Sequence, residues 1–393
     1  MKKIYLDNAA TTQVDSRVLK AMLPFFSEKY GNPSSFHSLG LEAKNALDFA
    51  RKKTARLLGC VPEEIIFTGS GTESCNLAVK GAALANKKKG RHIITSKIEH
   101  HAILNSCEWL EKEMGYSVTY LNVGSSGLVS PKDLEKAIRK DTVLISIMYA
   151  NNEIGTIQPI RALAKIAHRK KVLFHTDACQ AAGLLDIDVK RLGVDLLTIN
   201  GSKIYAPKGT GLLFVKKGVG LMPLIHGGAH EFGLRAGTEN IAGIVGLATA
   251  LEIAQRGRKR EAKRLSALRD YFIKEIMRRI PCTLLNGHAK KRLPNNVNVS
   301  FLDVEGESVL LHLDKFGICA STGSACSSQS LDPSHVILAI RPHYEAAHGS
   351  IRFSLGRKTT RNEIDFVLAR LPGIIEKLRS LSPVHVSKKE VSN

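Results

Sequence analysis

Short apolar runs rich in β-branched residues alternate with helical patterns along the first two-thirds of the chain, and this alternation limits the fold more than any other feature. It predicts an α/β protein, because strands alternating with helices form a mostly parallel sheet covered on both faces. The predicted strands are Glu64–Thr68, His92–Ser96, Ser117–Leu121, Val143–Met148, Val172–Thr176, Asp195–Ile199 and Gly211–Val215. The predicted helices between them are Ser74–Asn86, His101–Met114, Pro131–Lys140 and Arg161–Lys170.

The pattern changes near residue 250. A long charged helical segment is followed by short strands and helices, in the order Leu247–Ile280, Asn296–Phe301, Ser308–Lys315 and Arg361–Leu381. The 393 residues exceed the roughly 250–300 at which a single core stops growing. We therefore predict a large domain at residues 16–255 and a smaller α+β domain built from residues 1–15 and 256–393.

Composition predicts a soluble cytoplasmic protein. Apolar residues make up 44% and charged residues 24% of the chain, which is ordinary globular usage. No apolar stretch approaches the ~18 residues of a membrane span, and the N-terminus lacks the apolar core of a signal peptide. The seven cysteines are widely spaced without a Cys-x-x-Cys pair, so neither a disulfide framework nor a metal site is expected.

The net charge of +21 raises the question of a polyanionic partner. Short basic runs occur at Lys87–Lys89 and Arg256–Arg260, but neither contains the aromatic residues of a single-strand binding groove. Direct nucleic-acid binding is therefore not the favoured interpretation. Transient contact with an acidic protein or a tRNA is favoured over it.

Two polar motifs follow predicted strands. Phe67-Thr-Gly-Ser-Gly-Thr-Glu-Ser74 enters a helix, where the Gly71 N–H and the Thr72 hydroxyl could bind a phosphate. A plain helix cap at Thr72 explains this motif equally well. Asp177 ends another apolar strand, either as a capping residue or as the partner of a cationic ligand nitrogen.

Two further residues could be nucleophiles. Lys203 follows a buried strand and is flanked by Gly and Pro; desolvation there would make its amine nucleophilic, although surface lysines in turns are more common. Cys326 lies among small residues in Ser321-Thr-Gly-Ser-Ala-Cys-Ser-Ser328, either as an accessible thiol or as an inert buried one. A phosphate cradle, an acidic residue and a lysine, in this order, fit pyridoxal phosphate.

The sequence resembles, nearly end to end, the cysteine desulfurases of the class V, fold type I pyridoxal-phosphate enzymes. The loop at about residues 319–332 resembles that of the housekeeping and nitrogen-fixation group. The matching motifs are Tyr5-Leu-Asp-Asn-Ala-Ala-Thr-Thr12, Gly31-Asn-Pro-Ser-Ser35, Ser96-Lys-Ile-Glu-His100, Asn151-Asn-Glu-Ile-Gly155, Asp177-Ala-Cys-Gln180, Gly201-Ser-Lys203, Arg235-Ala-Gly-Thr238, Gly323-Ser-Ala-Cys326 and Ser350-Ile-Arg-Phe-Ser354.

The resemblance implies a role for each matching residue. Lys203 would hold pyridoxal phosphate covalently, Asp177 would pair with its pyridine nitrogen, and His100 would stack on its ring and move protons. Asn152 and Arg352 would bind the carboxylate of L-cysteine, and Cys326 would accept the sulfur while L-alanine forms. The other implied cofactor contacts are Gly71, Thr72 and Ser202 at the phosphate, Gln180 at the ring oxygen, Asn152, and Thr238 from a second subunit of a homodimer.

The implied partners are sulfur acceptors such as an iron–sulfur scaffold or a thiolation enzyme. Two departures from the family bear on these expectations. Asn200-Gly201-Ser202 replaces the usual Ser-Gly-His, so a histidine contact with the phosphate is lost. The tail after Ser382 is short, whereas longer family members use theirs to dock the iron–sulfur scaffold.

Two alternatives remain at this point. A lyase that releases its product freely would not need Cys326. A non-catalytic sulfur-transfer or tRNA-binding protein would explain the basic charge, but it would not need Lys203, Asp177 and His100 together.

Overall fold

The computed structural model describes residues 3–323 and 333–383. Strand β1 (Ile4–Tyr5) belongs to an N-terminal arm. A seven-stranded sheet forms the centre of the described part of the chain. Its strands are β2 (Ile65–Thr68), β3 (His92–Ser96), β4 (Ser117–Leu121), β5 (Thr142–Ser146), β6 (Leu173–Asp177), β7 (Leu196–Asn200) and β8 (Gly211–Val215).

The strand order is β2-β8-β7-β6-β5-β3-β4. Strand β8 is antiparallel to both of its neighbours, whereas the other neighbouring pairs are parallel. The predicted mostly parallel α/β sheet is therefore confirmed. The predicted strand bounds agree with the observed ones to within two residues, because the buried apolar runs that mark these strands end at polar turns.

Helices cover this sheet. They are α1 (Ser16–Met22), α2 (Pro24–Ser27), α3 (Ser38–Leu58), α4 (Gly71–Asn76), α5 (Ala82–Ala85), α6 (His101–Met114), α7 (Pro131–Ala137), α8 (Ile160–Arg169) and α9 (Val189–Leu192). A wider helical turn at Leu77–Gly81 joins α4 to α5. The helix predicted from Ser74 begins three residues earlier, because the Ser70 hydroxyl accepts a hydrogen bond from Glu73 N at 3.1 Å and caps it.

The rest of the described chain forms a smaller antiparallel layer in the order β12-β10-β9, while β1 pairs in parallel with β11. Its elements are α10 (Ile241–Arg279), β9 (Thr283–Leu285), β10 (Asn296–Phe301), α11 (Gly306–Asp314), β11 (Ile318–Cys319), α12 (His335–Ile340), α13 (Tyr344–His348), β12 (Ser350–Ser354) and α14 (Arg361–Leu381). Across the described ranges, no helix combines the length and apolar character needed to cross a membrane.

Helix α10 connects the two apolar cores. Its first half, including Leu247 and Leu251, packs into the core of the large sheet. Its second half places Phe272 in the smaller core, with its ring centroid 5.1 Å from that of Phe353. The helix is continuous through residue 255, so the domain division at that point stays a prediction.

A buried histidine on β6 predicts that the free energy of unfolding falls as the pH is lowered below about 6.5. His175 is fully buried, with Nδ1 2.8 Å from Ser146 Oγ and Nε2 3.0 Å from Thr198 Oγ1. Burial lowers its pKa from 6.5 to about 4, against the opposing charge of Asp177. The unfolded chain therefore binds a proton at a higher pH than the folded chain. The stability that the neutral ring contributes is present above pH 6.5 and is lost as the pH falls toward 4.

We expect His175→Gln to make the free energy of unfolding less dependent on pH. The wild type should lose about 2 kcal/mol more than the variant between pH 7 and pH 5, since each pH unit is worth about 1.4 kcal/mol. Urea unfolding at the two pH values measures this difference. His226→Gln, on an exposed loop, is the control and should behave as wild type. Equal losses in wild type and His175→Gln would contradict the assignment.

Candidate active site

The carboxyl ends of β2, β6 and β7 bring three predicted motifs to one edge of the sheet. Strand β2 leads into the phosphate loop, which we define as Gly69–Thr72, whereas β6 ends at Asp177 and β7 leads into the helical turn Gly201–Lys203. The three are packed together at Gly71, where an added Cβ would lie 2.8 Å from Cys179 Sγ and 2.9 Å from Asn200 Cβ. Any side chain at this position would push the loop away from the other two motifs.

The phosphate loop ends at the start of a helix. Ser70 is the capping residue of α4, so the alternative in which Thr72 caps the helix is wrong. The Thr72 side chain is exposed at the first turn instead. The first backbone N–H groups of a helix have no partner within it and favour an anion. The geometry therefore suits a phosphate at Gly71 and Thr72.

Asp177 is a buried carboxylate with no ion pair among the described residues. Its Oδ1 accepts a hydrogen bond from Cys179 N at 2.9 Å, and the residue is only 8% exposed. This bond closes a local turn; it does not cap one of the helices described above. Burying a charge without a partner is unfavourable, so the site fits a cationic group of a ligand.

Lys203 lies under the N-terminal arm. Its Nζ donates to the carbonyl oxygen of Ala10. The arm is fixed there by Thr12, whose Oγ1 donates to Ser202 O at 2.9 Å and accepts from Tyr205 N at 2.8 Å. The lysine is therefore part-buried at the end of a sheet strand, and the alternative of an ordinary surface lysine is wrong.

His100 stands at the N-terminus of α6, and its Nδ1 accepts a hydrogen bond from Ala102 N at 3.1 Å. The proton of the neutral ring is therefore on Nε2. Burial lowers the pKa of His100; the charge of Lys203 acts in the same direction and that of Asp177 opposes both. His100 is therefore close enough to Asp177 and Lys203 to be affected by their charges. With its pKa lowered from 6.5, the imidazole is neutral at pH 7.

Gln180 and Ser202 both make local contacts beside Lys203. Gln180 Nε2 donates to Ala9 O at 2.9 Å, which again ties the arm to the site. The backbone N and Oγ of Ser202 both lie 3.2 Å from Asn200 Oδ1. The asparagine that departs from the family pattern therefore shapes the turn that carries the lysine.

Arg352 is a buried guanidinium in the middle of β12. It donates from Nη1 to Asn152 O at 3.2 Å and from Nη2 to Asp7 Oδ1 at 2.9 Å. Its Nε is buried and has no hydrogen-bond partner in the described part of the chain. Asn152 and Arg352 are thus brought together. Asp7 was not among the predicted site residues, although it lies within the motif Tyr5–Thr12.

Glu99 was also missed. It is fully buried; Oε1 accepts from Ser96 Oγ at 2.5 Å, and Met148 N donates to Oε2 at 3.0 Å. Burial raises the pKa of this carboxyl to about 8, although the bonds from Ser96 and Met148 oppose the shift. His335 at the start of α12 contacts the Glu99 carbonyl oxygen at 3.0 Å. Glu99 is notable because it is buried, and its burial cannot be predicted from the local sequence.

Two predicted residues are not placed with the others. Thr238 lies on an exposed loop before α10, and its role across a dimer stays a prediction. Cys326 lies outside the described residues. Within the described ranges, burial raises the pKa of the thiols of Cys60, Cys75, Cys107, Cys179 and Cys319, which makes them poor nucleophiles at neutral pH. The described residues hold no group of side chains suited to a metal ion.

Known proteins are similar to this chain in sequence and in fold. A family model described as aminotransferase class-V matches residues 4–367. Cysteine desulfurase IscS of Dictyoglomus turgidum is 55% identical over 382 residues, covering 97% of each chain. A solved NifS-like protein has a TM-score of 0.90 and 39% identity over 96% of this chain and 100% of its own. A solved structure of SspA in complex with cysteine has a TM-score of 0.80 and 39% identity, covering 90% of this chain and 99% of its own.

The chain therefore belongs to the class-V aminotransferase family, with the fold of the fold type I pyridoxal-phosphate enzymes. Within this family its similarity is to the cysteine desulfurases, and these relatives are matched over nearly their whole length.

The site fits pyridoxal phosphate on three observations. Asp177 is buried without an ion pair among the described residues, the loop at Gly71 leads into a helix N-terminus without room for a side chain, and the amine of Lys203 lies at the adjacent strand end. A pyridinium nitrogen, a phosphate and an aldehyde are the groups that would complement these three features.

We expect Lys203→Ala to abolish turnover of L-cysteine, with a loss of at least about 100-fold, because the variant lacks the amine that would bind the cofactor and transfer protons. The measurement is alanine formation by protein supplied with excess cofactor. Lys208→Ala, five residues later on an exposed turn, is the matched control and should retain the wild-type rate. A Lys203→Ala variant with that rate would show that the lysine is misassigned.

Proposed function

We propose that this protein is a pyridoxal-phosphate-dependent cysteine desulfurase that converts L-cysteine to L-alanine and passes the sulfur to Cys326 as a persulfide. The observation that carries the proposal is the convergence of Asp177, Lys203 and His100 beside the phosphate loop. A lysine alone or an aspartate alone would be unremarkable; their combination at one sheet edge suits this cofactor.

The cofactor would be held by residues from all three strand ends. Asp177 would pair with its pyridine nitrogen, Gln180 would contact the ring oxygen, and Lys203 would bind it covalently. Gly71, Thr72 and Ser202 would hold the phosphate, and His100 would lie against the ring. When bound, the cofactor supplies an electron sink that acidifies the Cα–H bond of an amino acid.

Lys203 and His100 provide the proton-transfer groups. The Lys203 amine is part-buried among polar backbone groups, which positions it to take a proton from the substrate Cα and return it. The low pKa of His100 keeps its ring neutral, so Nε2 carries a proton that can be donated and Nδ1 remains tied to Ala102 N. A neutral His100 would also add no second positive charge beside Lys203.

Arg352 and Asn152 would bind the substrate carboxylate. The guanidinium is buried, and Asp7 and the Asn152 backbone fix its orientation. Its buried Nε, unpartnered among the described residues, remains able to donate. A fixed guanidinium is well suited to a carboxylate, because its N–H groups form a planar fork.

The sulfur step uses a thiolate. The Cys326 thiolate would attack Sγ of the substrate, an S–S bond would form, and the Cβ–Sγ bond would break with its electron pair going to the carbon fragment. Protonation of that fragment gives alanine, so one thiol and one cysteine yield one persulfide and one alanine without an added oxidant. Burial raises the pKa of the thiols of Cys60, Cys75, Cys107, Cys179 and Cys319, which disfavours these five as the acceptor.

We expect Cys326→Ser to retain cofactor binding and the spectral response to L-cysteine but to lose persulfide formation and nearly all alanine production. A serine oxygen cannot accept the sulfur under these conditions. Cys319→Ser, at the end of β11, is the control and should lose little activity. Mass spectrometry after addition of L-cysteine should locate one added sulfur atom on Cys326. An adduct on another cysteine, or a fully active Cys326→Ser variant, would be incompatible with this mechanism.

We also propose that the active form is a homodimer. Phe36 is 95% exposed and Phe232 56% exposed, and both line a cavity of about 570 Å³ that also contacts the segment before Thr238. Exposed aromatic side chains of this kind are typical of a protein interface. Thr238 would then contribute to the phosphate site of the second subunit.

For the sulfur acceptor we propose only a class of protein. An iron–sulfur scaffold or a thiolation enzyme would accept a persulfide sulfur, and the excess of basic residues would favour an acidic acceptor. Sulfide release compared with and without each candidate acceptor would identify which of them draws sulfur from Cys326. The cytoplasmic location stays a prediction of the sequence.

A further inference from the structure

A strained segment lies against the phosphate loop. Glu231 and Phe232 both have positive φ values, 47° and 57°, and Gly233 follows with 76°. Consecutive non-glycine residues in the left-handed region persist only where the surrounding structure holds them. The contacts of this segment therefore show which part of the structure its conformation supports.

The first contact is a buried ion pair. Arg51 on α3 donates from Nη1 and Nη2 to Glu231 Oε2 and Oε1 at 2.9 and 2.6 Å, and both side chains are less than one-tenth exposed. Glu231 Oε2 also accepts a hydrogen bond from Phe67 N at 2.8 Å, and Arg51 donates to Ile65 O. The pair is thus bonded to the backbone of β2, two residues before the phosphate loop.

The second contact reaches the loop itself. Arg235 Nε donates to Glu73 Oε1 at 2.9 Å, and Glu73 Oε2 accepts from Gly69 N at 2.7 Å. A Cβ at Gly69 would lie only 2.8 Å from that oxygen. Glu73 therefore joins the first residue of the phosphate loop to Arg235, which lies two residues after the strained segment.

We infer that the ion pairs Arg51–Glu231 and Glu73–Arg235 are positioning elements for the cofactor phosphate, an inference that rests on the proposed function. The first pair holds the end of β2 that leads into the loop, and the second holds the loop's first residue, so that the amide groups of the loop are preorganised for an anion. Neither pair includes a residue proposed to contact the phosphate. Their loss should weaken phosphate binding and leave the pyridine-ring contacts of Asp177 and the amine of Lys203 in place.

The experiment compares pyridoxal phosphate with pyridoxal, which lacks only the phosphate. Cofactor-free full-length protein is titrated with each compound, and binding is followed by visible absorbance. We expect Arg235→Gln and Glu73→Gln to weaken binding of pyridoxal phosphate by about tenfold or more, as supporting contacts commonly do, and to leave pyridoxal binding unchanged. Arg235→Lys, which keeps a charge able to reach Glu73, should recover most of the affinity.

Glu231→Gln tests the buried pair, since the amide keeps an oxygen for Phe67 N–H while the ion pair is lost. Glu252→Gln is the matched control, because it removes a part-buried pair between the same helix α3 and α10, Lys53–Glu252 at 2.7 Å. It should bind both compounds as wild type does. If Glu231→Gln does not fold, Arg235→Gln decides the question.

Equal losses for both compounds, or no loss in Arg235→Gln, would overturn the inference. Failure of the wild-type protein to bind pyridoxal phosphate would contradict the proposed function instead.

Discussion

The buried carboxylate of Asp177 is the constraint around which the site is organised. It ends β6 in the interior, accepts one backbone hydrogen bond from Cys179 N, and has no ion pair among the described residues. A charge in such a place is costly by several kcal/mol unless a partner is supplied. The sheet brings the ends of β2 and β7 beside it, so the loop proposed to bind an anion and a lysine flank a position that suits a cation. A cofactor with a pyridine nitrogen, a phosphate and an aldehyde would satisfy all three at once.

The N-terminal arm makes the site continuous with the smaller layer of the protein. Strand β1 pairs with β11, and Leu6 O accepts from Ser354 N beside the strand that carries Arg352. A few residues later the arm contacts Gln180, Ser202 and Lys203. The residues proposed to bind the substrate carboxylate and those proposed to bind the cofactor are therefore connected by one short stretch of backbone. This arrangement places the first motif of the chain, Tyr5–Thr12, between the two proposed binding sites.

Local pattern predicted much of the fold and the centre of the site. Alternating apolar runs gave the sheet strands, and the position of Asp177 and Lys203 after such runs predicted their meeting. The helix cap of α4 was misplaced because Ser70 and Thr72 are both capable of capping. Glu99 could not be found from pattern, since its burial depends on the pairing of β3 with β5.

Ion pairs between residues far apart in the sequence could not be predicted from local pattern either. The Asp7–Arg352 pair joins residues 345 positions apart, and Arg51–Glu231 joins residues 180 apart. The role proposed for Thr238 would need a second subunit, and Cys326 lies outside the described residues, so the sequence resemblance remains the basis for both roles.

The central claim is the chemical outcome with L-cysteine. Protein saturated with pyridoxal phosphate is mixed with L-cysteine and a small thiol that removes the persulfide, and alanine, pyruvate and sulfide are quantified together. A desulfurase forms alanine and sulfide in equal amounts, because the carbon skeleton keeps its amino group while only sulfur leaves. The account predicts this result with no pyruvate above the protein-free control. Pyruvate as the main product, which marks elimination, or no consumption of L-cysteine by the cofactor-loaded protein, would contradict it.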